Sequence, residues 1–430
     1  MKVAFYTLGC KVNQYESQVL SEKLKESGFT IVDSKSHADI YIINSCTVTA
    51  SADQKTRQAV RRFKRNNPES IVILTGCMPQ AYPEESSLLS EADIITGNKS
   101  NDKIIDLIDN YLKNGKRVVS ISEHKKGDKF SYCSISSFDE RTRAYIKIQD
   151  GCNRFCSYCI IPTSRGRVRS KPLSQLKEEL ERVAKNGYSE VILVGINLSS
   201  YGLDTGDSFP DAVKLACETE GIERVRLGSL EPDHLTEDVV KKLSQCKKLC
   251  PQFHISLQSG CDKTLKAMNR HYNCNEYKEL CNNFRNSFED CTLTTDVMVG
   301  FAGETDEDFQ ESLSFVKEIG FEKVHVFPYS VRTGTRAEKM GGHVSKKIKN
   351  DRCSIMISEC EKIRRDFFEK QIGKVFSVLF ESSASDGYIF GHSANYIPIK
   401  TKSPQKYCGE IKNVIITDVA DDDFCVGEII

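Results

Sequence analysis

The chain has 430 residues and no formal net charge, because 60 Lys and Arg balance 60 Asp and Glu. This length predicts two or three domains, each with its own core. The neutral balance excludes a uniformly basic nucleic-acid-binding protein, so any contact with nucleic acid must come from local patches. The 18 cysteines occur without a signal peptide or a long apolar run. We therefore expect a cytoplasmic protein with cysteine-bound metal, and not a secreted disulfide scaffold.

Short apolar runs alternate with helical patterns at the start of the chain, which predicts βαβ units around a parallel sheet. The apolar runs lie at residues 3–8, 40–43 and 71–74, with predicted helices at 16–27 and 52–66. In such a sheet, ligands bind outside the carboxyl ends of the strands. A cysteine follows each run, so we expect Cys10, Cys46 and Cys77 to form one three-thiolate site. The alternative is three unrelated core cysteines.

One polar segment lies between the second and third of these strands, and another lies further along the chain. The first holds six cations and no acid within residues 54–65, which is typical of a solvated helix face, with phosphate contact as the alternative. These cations are Lys55, Arg57, Arg61, Arg62, Lys64 and Arg65. The second, residues 120–143, shows little periodicity and is predicted to be a linker, which makes residues 1–119 the N-terminal domain.

Three thiols are grouped in the stretch 152–159, directly after a predicted strand at residues 145–149. They are Cys152, Cys156 and Cys159. This spacing is one thiolate short of what a [4Fe-4S] cluster needs, and no fourth cysteine is close in sequence. An incomplete coordination shell is typical of a catalytic metal site, where the free position takes a small molecule. The alternatives are chance core cysteines or a zinc site that lacks a ligand.

The alternation of strands and helices resumes at residue 144 and predicts a full or partial β/α barrel. The predicted strands are 145–149, 190–194, 224–227, 252–257, 293–299 and 322–327, and a long helix at 345–371 ends the unit near residue 370. Chemistry in such barrels sits at the carboxyl ends of the strands. Polar tails at those ends are predicted to line a pocket for a ligand with amino, carboxylate and ribose groups. The candidates are Gly195, Asn197, Ser229, Glu231, Gln258 and Glu304.

A second basic run follows the cysteine loop and consists of Arg165, Arg167, Arg169 and Lys171. Its position beside the barrel mouth predicts either contact with a substrate phosphate or simple solvation.

Residues 371–430 change character and predict a small β-barrel that is similar to an oligonucleotide-binding fold. Its five short strands are predicted at 374–381, 388–391, 396–400, 409–416 and 423–429. From Gly373 onward there are five Lys against eight Asp and Glu. RNA contacts of this barrel are therefore expected only from Lys400, Lys402 and Lys406, with aromatic side chains such as Tyr396.

The cysteine loop on the first barrel strand resembles the radical S-adenosylmethionine signature. With the triad Cys10, Cys46 and Cys77 before it and the small β-barrel after it, the whole chain resembles the methylthiotransferases. That family has an N-terminal cluster domain, a radical core and a terminal TRAM domain. The stretch at residues 7–17, with Lys11-Val12-Asn13 after the first cysteine, resembles the branch that modifies threonylcarbamoyladenosine in tRNA. The isopentenyladenosine branch usually has Gln-Met-Asn there, and the ribosomal-protein branch has Pro-Lys-Asn.

The resemblance implies two [4Fe-4S] clusters and two molecules of S-adenosylmethionine per turnover. Cys152, Cys156 and Cys159 would hold the cluster that cleaves the cofactor to a 5′-deoxyadenosyl radical, and the six rim residues above would contact the cofactor. Cys10, Cys46 and Cys77 would hold a second cluster, whose open iron carries the sulfur. A second S-adenosylmethionine would supply the methyl group. The two open irons must then lie close enough to share one RNA base.

The implied substrate is adenosine 37, next to the anticodon, within the tRNA anticodon stem-loop. The implied partners are a one-electron donor of the flavodoxin or ferredoxin type and a sulfur donor, with no membrane. Two alternatives stay open. One is the same chemistry on isopentenyladenosine or on a ribosomal protein, and the other is a non-catalytic iron–sulfur sensor that binds RNA.

Overall fold

The computed structural model describes residues 1–138, 142–421 and 423–430. Part of the predicted linker, residues 139–141, lies outside the described residues. Every described helix is too short or too polar to cross a bilayer.

The N-terminal region is a six-stranded parallel sheet with strand order β2-β1-β3-β4-β5-β6. Its strands are β1 (Lys2–Thr7), β2 (Thr30–Val32), β3 (Ile40–Ser45), β4 (Ile71–Gly76), β5 (Ile94–Thr96) and β6 (Val118–Ser120). Its helices are α1 (Lys11–Glu26), α2 (Ala50–Asn66), α3 (Cys77–Ala81), α4 (Pro83–Ser87) and α5 (Ile104–Asn114). Every residue of β3 and β4 is buried, because helices cover both faces of the sheet. The sequence-based prediction of a parallel α/β unit is confirmed.

The middle of the chain forms an open, partial β/α barrel made of two parallel sheets, β7-β10-β11 and β12-β13-β14. Its strands are β7 (Arg143–Lys147), β8 (Gln149–Asp150), β9 (Arg169–Ser170), β10 (Glu190–Val194), β11 (Arg224–Leu227), β12 (Gln252–His254), β13 (Thr292–Val299) and β14 (Lys323–Pro328). Its helices are α6 (Ile161–Arg165), α7 (Leu173–Lys185), α8 (Phe209–Glu218), α9 (Glu237–Ser244), α10 (Asp262–Ala267), α11 (Cys274–Ser287), α12 (Asp306–Ile319) and α13 (Lys346–Glu369). Single parallel bridges continue from the first sheet to the second.

The last residues form a closed five-stranded barrel with strand order β15-β16-β17-β19-β18. Its strands are β15 (Val375–Ser383), β16 (Tyr388–Ser393), β17 (Pro398–Lys402), β18 (Ile411–Val419) and β19 (Cys425–Ile429). Alternate residues of these strands, such as Val378, Phe380 and Val414, fill its own apolar core. The predicted small β-barrel is confirmed.

The C-terminal barrel docks against the amino ends of the β/α-barrel strands, opposite the cysteine loop. Arg224 and Arg226 of β11 both reach Glu190, at 3.6 and 2.7 Å. Arg224 also donates to the Ser377 carbonyl, and Arg226 donates to the Ser393 carbonyl, each at 2.7 Å. One buried carboxylate therefore orients two guanidinium groups that bind backbone atoms of the neighbouring barrel.

Tyr396 of the C-terminal barrel points to this junction and not to an RNA surface. Its ring stacks on His392 with the ring centroids 4.3 Å apart. The guanidinium groups of Arg143 and Arg226 lie 5.3 and 4.9 Å from its centroid. Our expectation that Tyr396 stacks on RNA is corrected, because these internal partners already occupy the ring.

Candidate active site

Three loops at the carboxyl edge of the N-terminal sheet bring Cys10, Cys46 and Cys77 together. Cys10 is the N-cap of α1, Cys46 follows β3, and Cys77 begins α3 directly after β4. The Oδ1 atom of Asn13 lies 4.0 Å from the sulfur atoms of both Cys10 and Cys77. The amide nitrogen of the same side chain donates to the carbonyls of Leu8 and Ser45, which ties the loops to one another.

Glycine precedes two of these cysteines because the loops approach too closely for a side chain. Gly9 and Gly76 have φ values of +99° and +97°, a region that side-chain-bearing residues rarely adopt. A Cβ atom on Gly9 would lie 2.6 Å from the Cβ of Cys46. A Cβ atom on Gly76 would lie 2.5 Å from the carbonyl oxygen of Ser45. The three-cysteine arrangement therefore depends on both glycines.

The loop after β7 places Cys152, Cys156 and Cys159 at the mouth of the β/α barrel. The sulfur of Cys152 accepts from the Arg154 amide at 3.4 Å and lies 3.8 Å from the Asn197 side-chain nitrogen. The sulfur of Cys156 accepts from Arg270 at 3.3 Å. These donors place a positive charge or a polar hydrogen against the sulfur atoms. Such contacts favour the thiolate form of a cysteine over the thiol form.

The six candidate cofactor residues differ in the contacts that they make in the structure. Asn197 contacts the cysteine loop directly, as described above. Glu231 forms an ion pair with Arg270, the residue that also contacts Cys156, and burial raises the pKa of Glu231. Ser229 lines a cavity that it shares with Cys10. Asn197 and Glu231 therefore lie beside the cysteine loop of the barrel, and Ser229 faces the cavity that reaches Cys10.

The other three candidates are held by the protein itself. A Cβ atom on Gly195 would lie 2.8 Å from Oε1 of Gln149, so backbone and side chain are already in contact there. Gln258 has a positive φ of 69°, and its backbone atoms pair with β13. The carboxylate of Glu304 accepts from the Gly300 amide at 2.8 Å and from Arg352 at 2.6 Å. Glu304 therefore takes part in an internal ion pair.

The basic run after the cysteine loop is buried, apart from Arg167, so the prediction of a phosphate-binding or solvated run is wrong for most of it. Arg165, Arg169 and Lys171 are each less than 7% exposed. Arg169 pairs with Asp150 at 3.3 Å, and Lys171 pairs with Glu179. Buried cations must be paired, and these are. Arg165 pairs with Glu16 of α1 and so ties the segment after the cysteine loop to the N-terminal domain, whereas the acids paired with Arg169 and Lys171 lie within the barrel domain.

Arg165, which the sequence reasoning placed in a phosphate-binding or solvated run, contacts a cysteine of the N-terminal site. Its Nε donates to the sulfur of Cys77 at 3.2 Å, and one Nη donates to Asn13 at 2.6 Å. The same nitrogen donates to Glu16 at 3.0 Å. Burial raises the pKa of Glu16, but the charges of Arg165 and Lys147 outweigh it and leave that pKa below its ordinary value. A residue six positions beyond Cys159 thus touches a cysteine of the other site.

A cavity of about 660 Å³ extends from Cys10 into the interior of the β/α barrel and ends at Tyr396. Its lining carries an excess of cationic side chains. Titratable residues on it are Lys11, Arg226, His254, Asp296, Lys323 and His325. Burial lowers the pKa of Lys11, as do the nearby guanidinium groups of Arg143 and Arg226.

Two family models match the chain. The model described as Uncharacterized protein family UPF0004 matches residues 2–97, and the Radical SAM superfamily matches residues 146–316. A threonylcarbamoyladenosine tRNA methylthiotransferase of Bacillus subtilis (strain 168) is 35% identical over 96% of this chain and 93% of its own length. One of Aquifex aeolicus (strain VF5) is 36% identical over 97% of this chain and 100% of its own length. The chain belongs to the radical S-adenosylmethionine methylthiotransferases.

A relative with another name also matches this methylthiotransferase. A tRNA-2-methylthio-N(6)-dimethylallyladenosine synthase of Clostridium tetani (strain Massachusetts / E88) is 34% identical over 88% of this chain and 85% of its own length. The family is therefore established. Relatives from two named tRNA branches differ by only a few per cent in their identity to this chain.

Solved structures share the fold of the methylthiotransferase. The radical S-adenosylmethionine methyltransferase TsrM from Kitasatospora setae superposes with a TM-score of 0.55 at 13% identity, over 76% of this chain and 72% of that one. The cobalamin-dependent S-adenosylmethionine radical enzyme OxsB superposes with a TM-score of 0.51 at 13% identity, over 84% of this chain and 56% of that one. At these identities the likeness concerns the fold alone. Membership of the radical SAM superfamily implies a [4Fe-4S] cluster and S-adenosylmethionine.

The thiols of both sites suit an iron–sulfur cluster in donor type, and all of them except that of Cys10 are at least partly buried. Burial raises the pKa of Cys46 to about 12 and the pKa of Cys152 to about 11. A bound metal stabilises the thiolate form that burial disfavours, so these thiols gain most from metal. Among the described residues, no three His, Cys, Asp or Glu side chains are placed to hold a single metal ion. Cluster ligands stand further apart, because an iron–sulfide core lies between them.

Replacing Gly76 by alanine is expected to remove iron from the site of Cys10, Cys46 and Cys77. The new Cβ meets the Ser45 carbonyl, so the loop must shift, at a cost of about 1–3 kcal/mol in the free energy of unfolding. The measurements are chemical denaturation and iron per chain after anaerobic reconstitution. Gly28→Ala is the matched control, because Gly28 also has a positive φ but open space around it. Wild-type iron content in Gly76→Ala would contradict the need for this close approach.

Proposed function

We propose that this methylthiotransferase converts N6-threonylcarbamoyladenosine 37 of tRNA to its 2-methylthio derivative. The observation that carries the proposal is the similarity at 35–36% identity, over nearly the whole chain, to relatives named for that nucleoside. The reaction comprises radical C–H activation, sulfur insertion and methyl transfer. A chain that matched only the radical core would not support the sulfur-insertion step, whereas this chain also matches the N-terminal model.

We assign a [4Fe-4S] cluster to each three-cysteine site as part of this proposal. Bound to Cys152, Cys156 and Cys159, the first cluster with S-adenosylmethionine supplies the one-electron chemistry that attacks an aromatic C–H bond. Arg270 and Asn197 offset the negative charge of those thiolates. Cys10, Cys46 and Cys77 hold the sulfur-bearing cluster, and Arg165 offsets the charge of Cys77. The contact between Arg165 and Cys77 supports the requirement that both sites serve one base.

The chain's own residues also position the substrate and exclude water. The N-terminal domain packs against the barrel mouth through the buried pair of Arg165 with Glu16 and the hydrogen bond of Lys171 to Tyr15. A flipped-out base would enter from the cavity side, where the surrounding protein shields the reactive step from solvent. Asn197, Ser229 and Glu231 are the residues we propose for contact with S-adenosylmethionine.

The tRNA would be bound by local basic patches on either side of the cavity. On α2, Arg57, Arg61 and Lys64 pair with the acids Glu85, Glu91 and Asp93. Lys55 and Arg65 have no such partner among the described residues and are the more available for phosphate. We assign residues 1–119 to sulfur insertion, 120–143 to the linker, 144–370 to the radical core and 371–430 to RNA binding. A flavodoxin- or ferredoxin-type reductant, a sulfur donor and a cytoplasmic location complete the proposal.

Nucleoside mass spectrometry of tRNA tests the substrate. A strain deleted for this gene is expected to lose 2-methylthio-threonylcarbamoyladenosine and to keep 2-methylthio-isopentenyladenosine, and expression of the wild-type chain restores the first. The reverse pattern would assign the chain to the branch of the Clostridium tetani relative. Unchanged levels of both nucleosides would refute the tRNA function itself.

A further inference from the structure

The charged groups that line the central cavity do not balance one another. Asp296 is the single acid on this lining within the described residues, and His254 lies 3.2 Å from it, with its other ring nitrogen 3.0 Å from Thr294. Arg226 forms an ion pair with Glu190 and donates hydrogen bonds to two carbonyls of the C-terminal barrel. Two cations remain, Lys11 and Lys323, and neither has a carboxylate within 4.0 Å in the described part of the chain.

Lys11 and Lys323 approach the cavity from different elements. Lys11 is the first residue of α1, next to Cys10, and Lys323 begins β14. The side chain of His325 follows Lys323 on the same face of the strand, and all of these residues line the same cavity. A cavity lined by an excess of positive charge is expected to concentrate anions, because charges of one sign on its walls focus the field inside it.

We propose that Lys11 and Lys323 form a carboxylate-binding subsite for the threonyl group of the target nucleoside. The inference rests on the proposed function. The threonylcarbamoyl group carries one carboxylate and one hydroxyl, whereas the isopentenyl group is a hydrocarbon. A bound carboxylate supplies the counter-charge that both ammonium groups lack. An isopentenyl group offers no such counter-charge, so the subsite favours the threonylcarbamoyl group over it.

The cavity also connects this subsite to the sulfur-bearing site. Cys10 and Lys11 are consecutive and line the same space, so a nucleoside held by its carboxylate stays beside Cys10. Substrate choice and sulfur transfer are thereby coupled through one short stretch at the start of α1.

Binding of anticodon stem-loops tests the subsite without turnover. The probes are a stem-loop with threonylcarbamoyladenosine, the same stem-loop with the threonyl carboxylate as its neutral methyl ester, and an unmodified stem-loop. The protein is the full-length chain at fixed ionic strength, because salt changes every RNA affinity. The wild type is expected to prefer the acid over the ester by about 10- to 100-fold in Kd, as for a charge-assisted hydrogen bond.

The variants Lys11→Gln and Lys323→Gln separate the subsite from general RNA binding. Each is expected to weaken acid binding, and the double variant to bind acid and ester equally, with affinity for the unmodified stem-loop unchanged. Lys116→Gln, an exposed lysine away from the cavity, is the control and should keep the wild-type preference.

The results distinguish failure of the inference from failure of the proposed function. A wild-type chain that methylthiolates the acid stem-loop yet binds acid and ester alike would overturn the subsite and leave the function intact. A double variant with the wild-type preference would do the same. A wild-type chain that neither prefers nor methylthiolates the acid stem-loop would overturn both.

Discussion

Replacement of Cys10, Cys46 and Cys77 together by alanine is expected to abolish methylthio transfer while cleavage of S-adenosylmethionine continues. The cysteine loop keeps its contacts with Asn197 and Arg270 in this variant, so the first cluster still forms. The expected loss of transfer is ~10³-fold or more, equivalent to about 4 kcal/mol of transition-state stabilisation. The measurements are iron per chain, 5′-deoxyadenosine formed under dithionite, and methylthio nucleoside formed in tRNA.

The opposite variant makes the comparison decisive. Alanine at Cys152, Cys156 and Cys159 is expected to abolish both reactions while about half of the iron remains, since one of two four-iron clusters is retained. Alanine at Cys246, Cys274 and Cys353, which lie outside both sites, should leave iron and activity unchanged. Loss of cofactor cleavage in the first variant, or full iron in either, would contradict two independent clusters.

Replacement of Arg165 by methionine is expected to destabilise the protein by about 3–5 kcal/mol, because it removes the cation from a buried ion pair. Glu16 keeps Lys147 as a partner at 2.7 Å, but Asn13 and Cys77 lose their donor. Arg165→Lys retains the charge without the planar fork and should recover part of the stability. Denaturant unfolding and iron per chain are the measurements.

A second expected result is electronic and distinguishes Arg165 from a purely structural residue. Loss of the hydrogen bond to the Cys77 sulfur should make the reduction potential of the adjacent cluster more negative. Arg352→Met is the matched control, because Arg352 is also buried and pairs with Glu304 away from both cysteine sites. It should lower stability by a similar amount without a shift in potential. Equal potentials in the Arg165→Met protein and the wild type would refute the electronic role.

Most strands were predictable because they are local patterns of apolar residues. The barrel strands at Glu190–Val194 and Arg224–Leu227 were predicted with the observed bounds. The short strands Thr30–Val32, Ile94–Thr96 and Val118–Ser120 were missed, since three residues carry too little periodicity to be recognised. They complete a sheet whose central strands were already evident.

The convergence of Cys10, Cys46 and Cys77 was also predictable, because parallel strands place their carboxyl ends at one edge. The role of Arg165 was not. In the sequence it belongs to a run of cations that resembles any solvated surface, and its partners Asn13 and Cys77 are distant along the chain. Similarly, Tyr396 resembled an RNA-stacking residue until its contacts with Arg143 and Arg226 were visible.

The spacing of the cysteines and the succession of strands and helices along the chain are properties of the sequence. They were enough to predict the two sets of three thiols and the fold of each of the three domains. Which cations form ion pairs depends on contacts between residues that are far apart in the sequence. These contacts, together with burial, decide whether a basic residue supports the fold or is free to bind a ligand. Arg165 and Lys11 are both basic residues close in sequence to a cysteine site. Packing pairs Arg165 with Glu16 and leaves Lys11 facing an open cavity without a counter-charge. That difference makes one residue a support of the cysteine sites and the other our candidate for substrate recognition.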